Sequence, residues 1–216
     1  MKNMLLVLSM LWMCHASASE QSRELDQLAN QMIGTIHAGS QRASNDGELK
    51  GCGMDFITLG RDFSTKNGSL YKAVGSYYFR NVNGAPQFWL KLGVFDLNLE
   101  KPGDEIPSAI GNAHVASNGQ MALKPKLKID SDTPGFFIYI FDSTEAAAKI
   151  WMEFLQSGKL LIGFNRKVGQ QDVVFTFDGN VHSAQFIGNQ FIKQKSSDQL
   201  DEVADCTSQL IKTFNQ

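Results

Sequence analysis

One tetrapeptide, Val82-Asn83-Gly84-Ala85, limits what this chain can fold into more than any other feature. Asn-Gly between two alternating apolar runs calls for a two-residue hairpin turn, because both central residues need positive φ and these two adopt it at least cost. A loop that short leaves one register for the flanking strands, Leu70 to Arg80 and Gln87 to Leu97. Val82 then faces Ala85, Phe79 faces Phe88, Tyr77 faces Leu90 and Gly75 faces Leu92, which makes one strongly apolar face. The other face sets Tyr78 opposite Trp89, Arg80 opposite Gln87 and Ser76 opposite Lys91. A slip of one residue would exchange the two faces, so the apolar set should hold the register.

Other segments read as strands around this hairpin. Met54 to Leu59 alternates, and so does a second hairpin in which Leu160, Ile162 and Phe164 share a face with Val173, Phe175 and Phe177, Phe164 facing Val173. Phe136 to Phe141 is a continuous apolar run, as expected of a strand buried on both faces. Weaker strands are expected between Asn112 and Ile129, around Asn118-Gly119, and another near Val181 to Phe186; Lys101 to Ile110 reads as a loop. Three helices complete the pattern. Gln21 to His37 carries Leu25, Leu28, Ala29, Met32, Ile33 and Ile36 on one stripe, followed by a polar linker from Gly39 to Gly47. After Phe141, Asp142 stands where a cap is needed, with Glu145 three residues on; Ala147, Ile150, Trp151, Phe154 and Leu155 form the buried stripe and Gly158 the stop. The last helix starts near Ser196, with Leu200, Val203, Leu210, Ile211 and Phe214 on one side.

The expected fold class is α+β: a mostly antiparallel β-sandwich or half-open barrel with an N-terminal, an inserted and a C-terminal helix. No linker is long enough to divide the β-rich part, so residues 48–216 read as one domain preceded by a helix and linker over 19–47.

Residues 1–18 have the build of an export signal. Lys2 supplies the positive charge, Met4 to Met13 the apolar stretch, and Ala16-Ser17-Ala18 the small-residue cleavage site, which makes Ser19 the first mature residue. The apolar stretch is about half the roughly twenty residues needed to span a bilayer. Lipidation at Cys14 would want small residues before it, whereas Trp12 and Met13 stand there. Export leaves Cys52 and Cys206, and two cysteines in an oxidising compartment are expected to pair. The rival reading is a reactive thiol at Cys52, given close access by Gly51 and Gly53, but no His or Asp at recognisable spacing accompanies it.

Composition and motifs exclude several chemistries. Lys and Arg number 20 against 22 Asp and Glu, so no polybasic footprint points to nucleic acid. His37, His114 and His182 are scattered without a metal-ligand spacing, and the Asp130-x-Asp132 start of a calcium loop fails because Pro134 and Phe141 occupy ligand positions. Phosphate-binding glycine loops and a nucleophile elbow are missing, so no cofactor and no metal is called for. Asn67-Gly68-Ser69 matches a glycosylation sequon and reads equally as a turn.

From Ser143 to Phe186 a helix is followed by Ser-Gly-Lys-Leu-Leu-Ile-Gly-Phe-Asn (157–165), Gly169 and Asp-Val-Val-Phe-Thr-Phe-Asp-Gly (172–179). This order resembles the closing segment of invasion-associated locus B proteins, which are exported, β-rich and bacterial. The overall layout, an early Gly-Cys-Gly and a late Asp-Cys before an amphipathic helix, is similar to uncharacterised proteobacterial exported proteins. The resemblance implies a periplasmic or cell-surface setting and a non-enzymatic role, and supplies no catalytic residues.

The expected function is accordingly that of an exported binding or accessory protein acting through a protein surface, with another envelope or secreted protein as partner. The candidate surface is Tyr78 and Trp89 with Arg80 and Lys91 at its margins, a composition typical of interaction hot spots. The rival reading is that the apolar stripe of the N-terminal helix, or another strand layer, covers this face, since Leu25, Leu28, Met32 and Ile36 must bury against something. Two other classes stay open. One is an envelope-polymer hydrolase whose carboxylates meet only in three dimensions; the other is a small-molecule carrier with a β-barrel cavity.

Overall fold

The computed structural model describes residues 23–64, 68–98, 105–117 and 122–214. The expected export signal, Cys14, Asn67 and the turn expected at Asn118-Gly119 lie outside these residues. The chain divides into two compact units, Met1–Ile33 and Gly34–Gln216. In the first, residues 23–32 form helix α1, which exposes Leu25 and Leu28.

The second unit is built on a seven-stranded antiparallel sheet. Its strands are β1 (Gly34–Asn45), β2 (Glu48–Asp62), β3 (Ser69–Val82), β4 (Ala85–Leu97), β5 (Glu105–Pro107), β7 (Leu127–Asp130) and β8 (Phe136–Phe141). The order is β1-β2-β3-β4-β8-β7, with β5 beside β4. A three-stranded sheet joins β6 (Ala113–Ala116), β9 (Lys159–Phe164) and β10 (Val173–Asp178), and β11 (Val181–Ile187) pairs with β12 (Gln190–Lys195) as a separate ribbon. Helices α2 (Glu145–Ser157) and α3 (Asp198–Thr213) complete the unit. The large sheet is not closed into a barrel, and the α+β sandwich is the form realised.

The central hairpin has the register that its turn dictates: Val82 opposite Ala85, Phe79 opposite Phe88, Tyr77 opposite Leu90 and Tyr78 opposite Trp89. Asn83 and Gly84 both hold positive φ, 53° and 82°. In the second hairpin Phe164 likewise faces Val173. The core lies between the apolar face of the large sheet, the three-stranded sheet and the two helices. Met54, Tyr77, Leu90 and Tyr139 line up across four strands and are fully buried. Rings fill the space behind them, with Tyr77 5.3 Å from Trp151, Phe154 5.3 Å from Phe177 and Phe56 4.7 Å from Phe177 between centroids. Cys52 on β2 and Cys206 on α3 form a disulfide, with Cα atoms 5.8 Å apart, that fastens the last helix to the sheet.

Several expectations are corrected. The first helix ends at residue 32, and Ile36 and His37 belong to a strand. The stretch from Gly39 to Gly47 is no linker: residues to Asn45 continue β1, and a tight turn at Asp46-Gly47 (φ 50° and 79°) leads into β2. An edge strand needs few apolar side chains, and only Thr35 and Ala38 of β1 are buried, so tertiary pairing overrides a polar local sequence. Cys52 therefore sits on the second strand of the unit. The cap of α2 is Thr144, whose hydroxyl accepts from the Ala147 amide, while Asp142 pairs with Lys126 at 3.0 Å. Strand β8 is buried on one face only: Tyr139 and Phe141 point inward, and Phe136, Ile138 and Ile140 are half-exposed. Ile211 on α3 is exposed, and β5 interrupts the expected loop before Ile110. Strand β12 follows a Gly188-Asn189 turn that the sequence reading passed over.

Candidate functional site

Register, more than proximity in sequence, builds the surface that carries Tyr78 and Trp89. On the face opposite the core, Gln41, Gly53, Tyr78, Trp89, Ile140 and Leu127 form one row across six strands. The next row is Gly39, Asp55, Ser76, Lys91, Ile138 and Ile129. Tyr78 and Trp89 are half-buried; towards β7 the rows open to solvent, with Leu127 49% and Ile129 38% exposed.

The structure thus brings all four predicted residues onto one face. The Arg80 guanidinium stacks on the Trp89 ring, 4.3 Å from its centroid, a favourable contact between a cation and the negative face of an indole. The Trp89 indole N–H donates to Gln87 at 2.9 Å, which fixes the ring. Lys91 lies 5.3 Å from the Phe136 centroid and donates to the Thr133 hydroxyl at 3.1 Å. Burial, reinforced by the Asp55 charge and opposed by Arg80, pushes the Tyr78 hydroxyl above its ordinary pKa.

Gly51 and Gly53 have a reason here that differs from access to a thiol. A Cβ on Gly53 would stand 2.7 Å from the Tyr78 ring and 2.4 Å from the Tyr77 carbonyl oxygen, and one on Gly51 would stand 3.0 Å from Arg80 Cγ. The two glycines form the floor on which Tyr78 and Arg80 lie. Cys52 between them faces the core, fully buried in its disulfide.

A second concavity, of about 260 Å³, has His114, Asn165, Asp172 and Lys124 in its lining. His114 lies flat over Gly163, where a Cβ would come within 2.1 Å of the ring, and its Nδ1 is 3.5 Å from Asp172 Oδ2. Asn165 donates to the other Asp172 oxygen at 2.9 Å and accepts from the Asn112 amide at 3.0 Å. None of the residues lining this pocket carries a hydroxyl or thiol, and among the described residues no group of three His, Cys, Asp or Glu converges as a metal would need. Of the other histidines, His37 bonds through Nδ1 to the His182 carbonyl at 2.9 Å.

Carboxylates do meet in three dimensions, at Arg166 just after β9. Its Nε donates to Asp62 at 2.9 Å, and its terminal nitrogens reach both oxygens of Asp96, at 2.8 and 3.0 Å, and the Ser108 hydroxyl. Burial raises the Asp62 pKa, but hydrogen bonds from Ser64 and the Arg166 cation outweigh it and hold the carboxyl below its ordinary range. That is the opposite of what a general acid needs. The cluster binds the β9–β10 loop to the large sheet.

No family model, curated protein or solved structure matches this chain.

Sequence reasoning found the aromatic face because one turn set its register. It missed the breadth of that face towards β8 and β7 and the role of Arg166, and it read His114 as an isolated histidine without the Asp172 beside it. Only the apolar run from Phe136 to Phe141 could have hinted at the former, since a strand that rich in Phe and Ile has apolar side chains for both faces.

Proposed function

We propose that this is an exported binding protein that engages another envelope or secreted protein through the outer face of its seven-stranded sheet, with Tyr78, Arg80, Trp89 and Lys91 at the centre. One observation carries the reading: the continuous row Tyr78-Trp89-Ile140-Leu127 on the face opposite the core, flanked by a row holding Ile138 and Ile129. An aromatic and aliphatic strip with cations at its margin has the composition of interaction surfaces, in which large rigid side chains contribute most of the affinity. The complementary partner surface is apolar at its centre and acidic at its rim.

The setting outside the cytoplasm is supported by the Cys52–Cys206 disulfide and the leader-like residues 1–18, and the resemblance to invasion-associated locus B proteins points the same way. Among the described residues no helix is long and apolar enough to cross a membrane. The hydrolase and carrier readings gain no comparable support. The converging carboxylates are neutralised by Arg166, and the space between the sheets is filled by aromatic side chains.

The test is site-specific photocrosslinking in the native envelope. A photoreactive residue at position 89 or 127 should yield the same discrete adduct, absent from a control at the exposed Val168. With that partner purified, Trp89→Ala should weaken binding by about 2 kcal/mol, the scale of a hot-spot truncation. Unchanged affinity removes this face from consideration.

A further inference from the structure

The ribbon of β11 and β12 ends in an apolar tip that none of the sites above employs. Its Gly188-Asn189 turn, with Gly188 at φ 61° and Ile187 opposite Gln190, brings Phe186, Ile187, Phe191 and Ile192 together at one end. Phe186 and Phe191 face each other with centroids 5.0 Å apart. Ile187 and Ile192 project from the opposite face, as the two-residue period of a strand requires. Phe186 is 44%, Ile187 55% and Ile192 37% exposed, so apolar surface is open on both faces of the ribbon.

Such side chains are costly to leave in water. A flat protein surface could cover one face of a ribbon only, whereas a fluid layer encloses both. Charge narrows the choice further. From Gly179 to Ser197 there is no carboxylate, while Lys193 stands three positions beyond Gln190, at the edge of the apolar tip. The base is held by the His37 contact to the His182 carbonyl at 2.9 Å and by Lys195 on Asp178 at 2.8 Å.

We propose that this tip is a membrane-surface anchor, inserting Phe186, Ile187, Phe191 and Ile192 into the interface of an anionic phospholipid bilayer with Lys193 at headgroup level. The three residues on each side of the turn extend roughly 10 Å at strand spacing, which matches the depth of the boundary between headgroups and acyl chains. Asn189 and Gln190, at the turn itself, are uncharged and enter the interface with it, so no ionised group has to be carried in.

Co-sedimentation of the full chain with large vesicles tests this. Wild type should pellet with mixed phosphatidylglycerol and phosphatidylcholine more than with phosphatidylcholine alone, and the preference should fade in 1 M salt. Phe186→Ser/Ile187→Ser should lower the partition at least about tenfold, while the exposed-loop control Val168→Ser leaves it unchanged. All three chains carry the same residues 1–22, so any contribution from the leader is common to them. A folded Phe191→Trp chain gives an independent readout: brominated lipid should quench its fluorescence beyond the parent level. Equal pelleting of the double variant and wild type overturns the proposal, as does the absence of quenching at position 191. So does wild-type self-association, lost in the double variant, without vesicle binding; the tip would then be a contact between two copies of the chain.

Discussion

Arg166 is the side chain whose loss should disturb this molecule most. It neutralises Asp62, whose side chain is 0% exposed, and without it a buried carboxylate loses that cation. Removing one partner of such a pair typically costs about 3–5 kcal/mol. The pH dependence identifies the cause. In the wild type the Asp62 pKa is depressed on folding, so its stabilisation is complete above the unfolded value near 3.8 and is lost as pH falls through the folded one. Asp178, held down by Lys195 and Asn180 against its burial, adds loss in the same range. In Arg166→Met the two Ser64 hydrogen bonds remain and the Asp62 depression should shrink, so acidification from pH 7 to 3 should narrow the gap to the wild type. Denaturant midpoints at the two pH values measure this, and a gap between the two proteins that is constant with pH would contradict it. Gly53 is a second case, because its missing Cβ is what admits the Tyr78 ring. Gly53→Ala should cost about 1–3 kcal/mol through overpacking and displace Tyr78, giving a changed near-ultraviolet spectrum while the disulfide stays intact.

At the scale of elements, the parts legible in the sequence are those in which a local signal and a long-range one agree. Asn83-Gly84 specifies a turn, and the alternation of Phe79, Tyr77 and Gly75 against Phe88, Leu90 and Leu92 specifies which way the strands face; the pairing follows residue by residue. Strand β1 had only the first, since Asp46-Gly47 is a hairpin dipeptide of the same kind, but no apolar alternation precedes it. Its side chains are mostly polar, and what makes it a strand is the open edge of β2, which lies far from any local propensity. The extent of the aromatic surface was hidden for a related reason, since β8 follows β4 in the sheet but not in the chain. Arg166 meets Asp62 and Asp96 across 104 and 70 positions, a convergence that no spacing announces. Helix α2 shows a smaller case. Both Asp142 and Thr144 are residues that cap helices well, and the structure selects Thr144, 3.2 Å from the Ala147 amide. Thr144→Ala should therefore cost about 1 kcal/mol, and Asp142→Ala, which removes only an exposed ion pair, should be near neutral. Thermal midpoints of the two variants decide between the caps.

The chain-wide constraint is the Cys52–Cys206 bond, which spans 154 positions and joins β2 to α3. Closing so long a loop removes conformational freedom from the unfolded chain, and the entropy argument places the stabilisation near 5 kcal/mol at most, with about 2–5 kcal/mol as the usual loss when a native bridge is deleted. Cys52→Ala/Cys206→Ala should lower the unfolding free energy by that amount. The fold makes a kinetic effect follow as well. It includes pairings between elements distant in the chain, β4 with β8, β6 with β9 and the contact of His37 with His182, and the search for these is slow. The bridged chain starts that search with its two ends already together and should refold faster than the double variant. Both cysteines are fully buried beneath α3, so a reductant reaches the sulfurs only when the helix leaves the sheet. At high dithiothreitol concentration, native-state reduction should therefore level off at a rate set by that opening. Destabilising α3 through Leu210→Ala, whose side chain is fully buried, should raise the plateau, whereas the exposed Ile211→Ala should leave it unchanged. A reduction rate that keeps rising in proportion to reductant would mean that the sulfurs are reached without opening, and that α3 does not shield them.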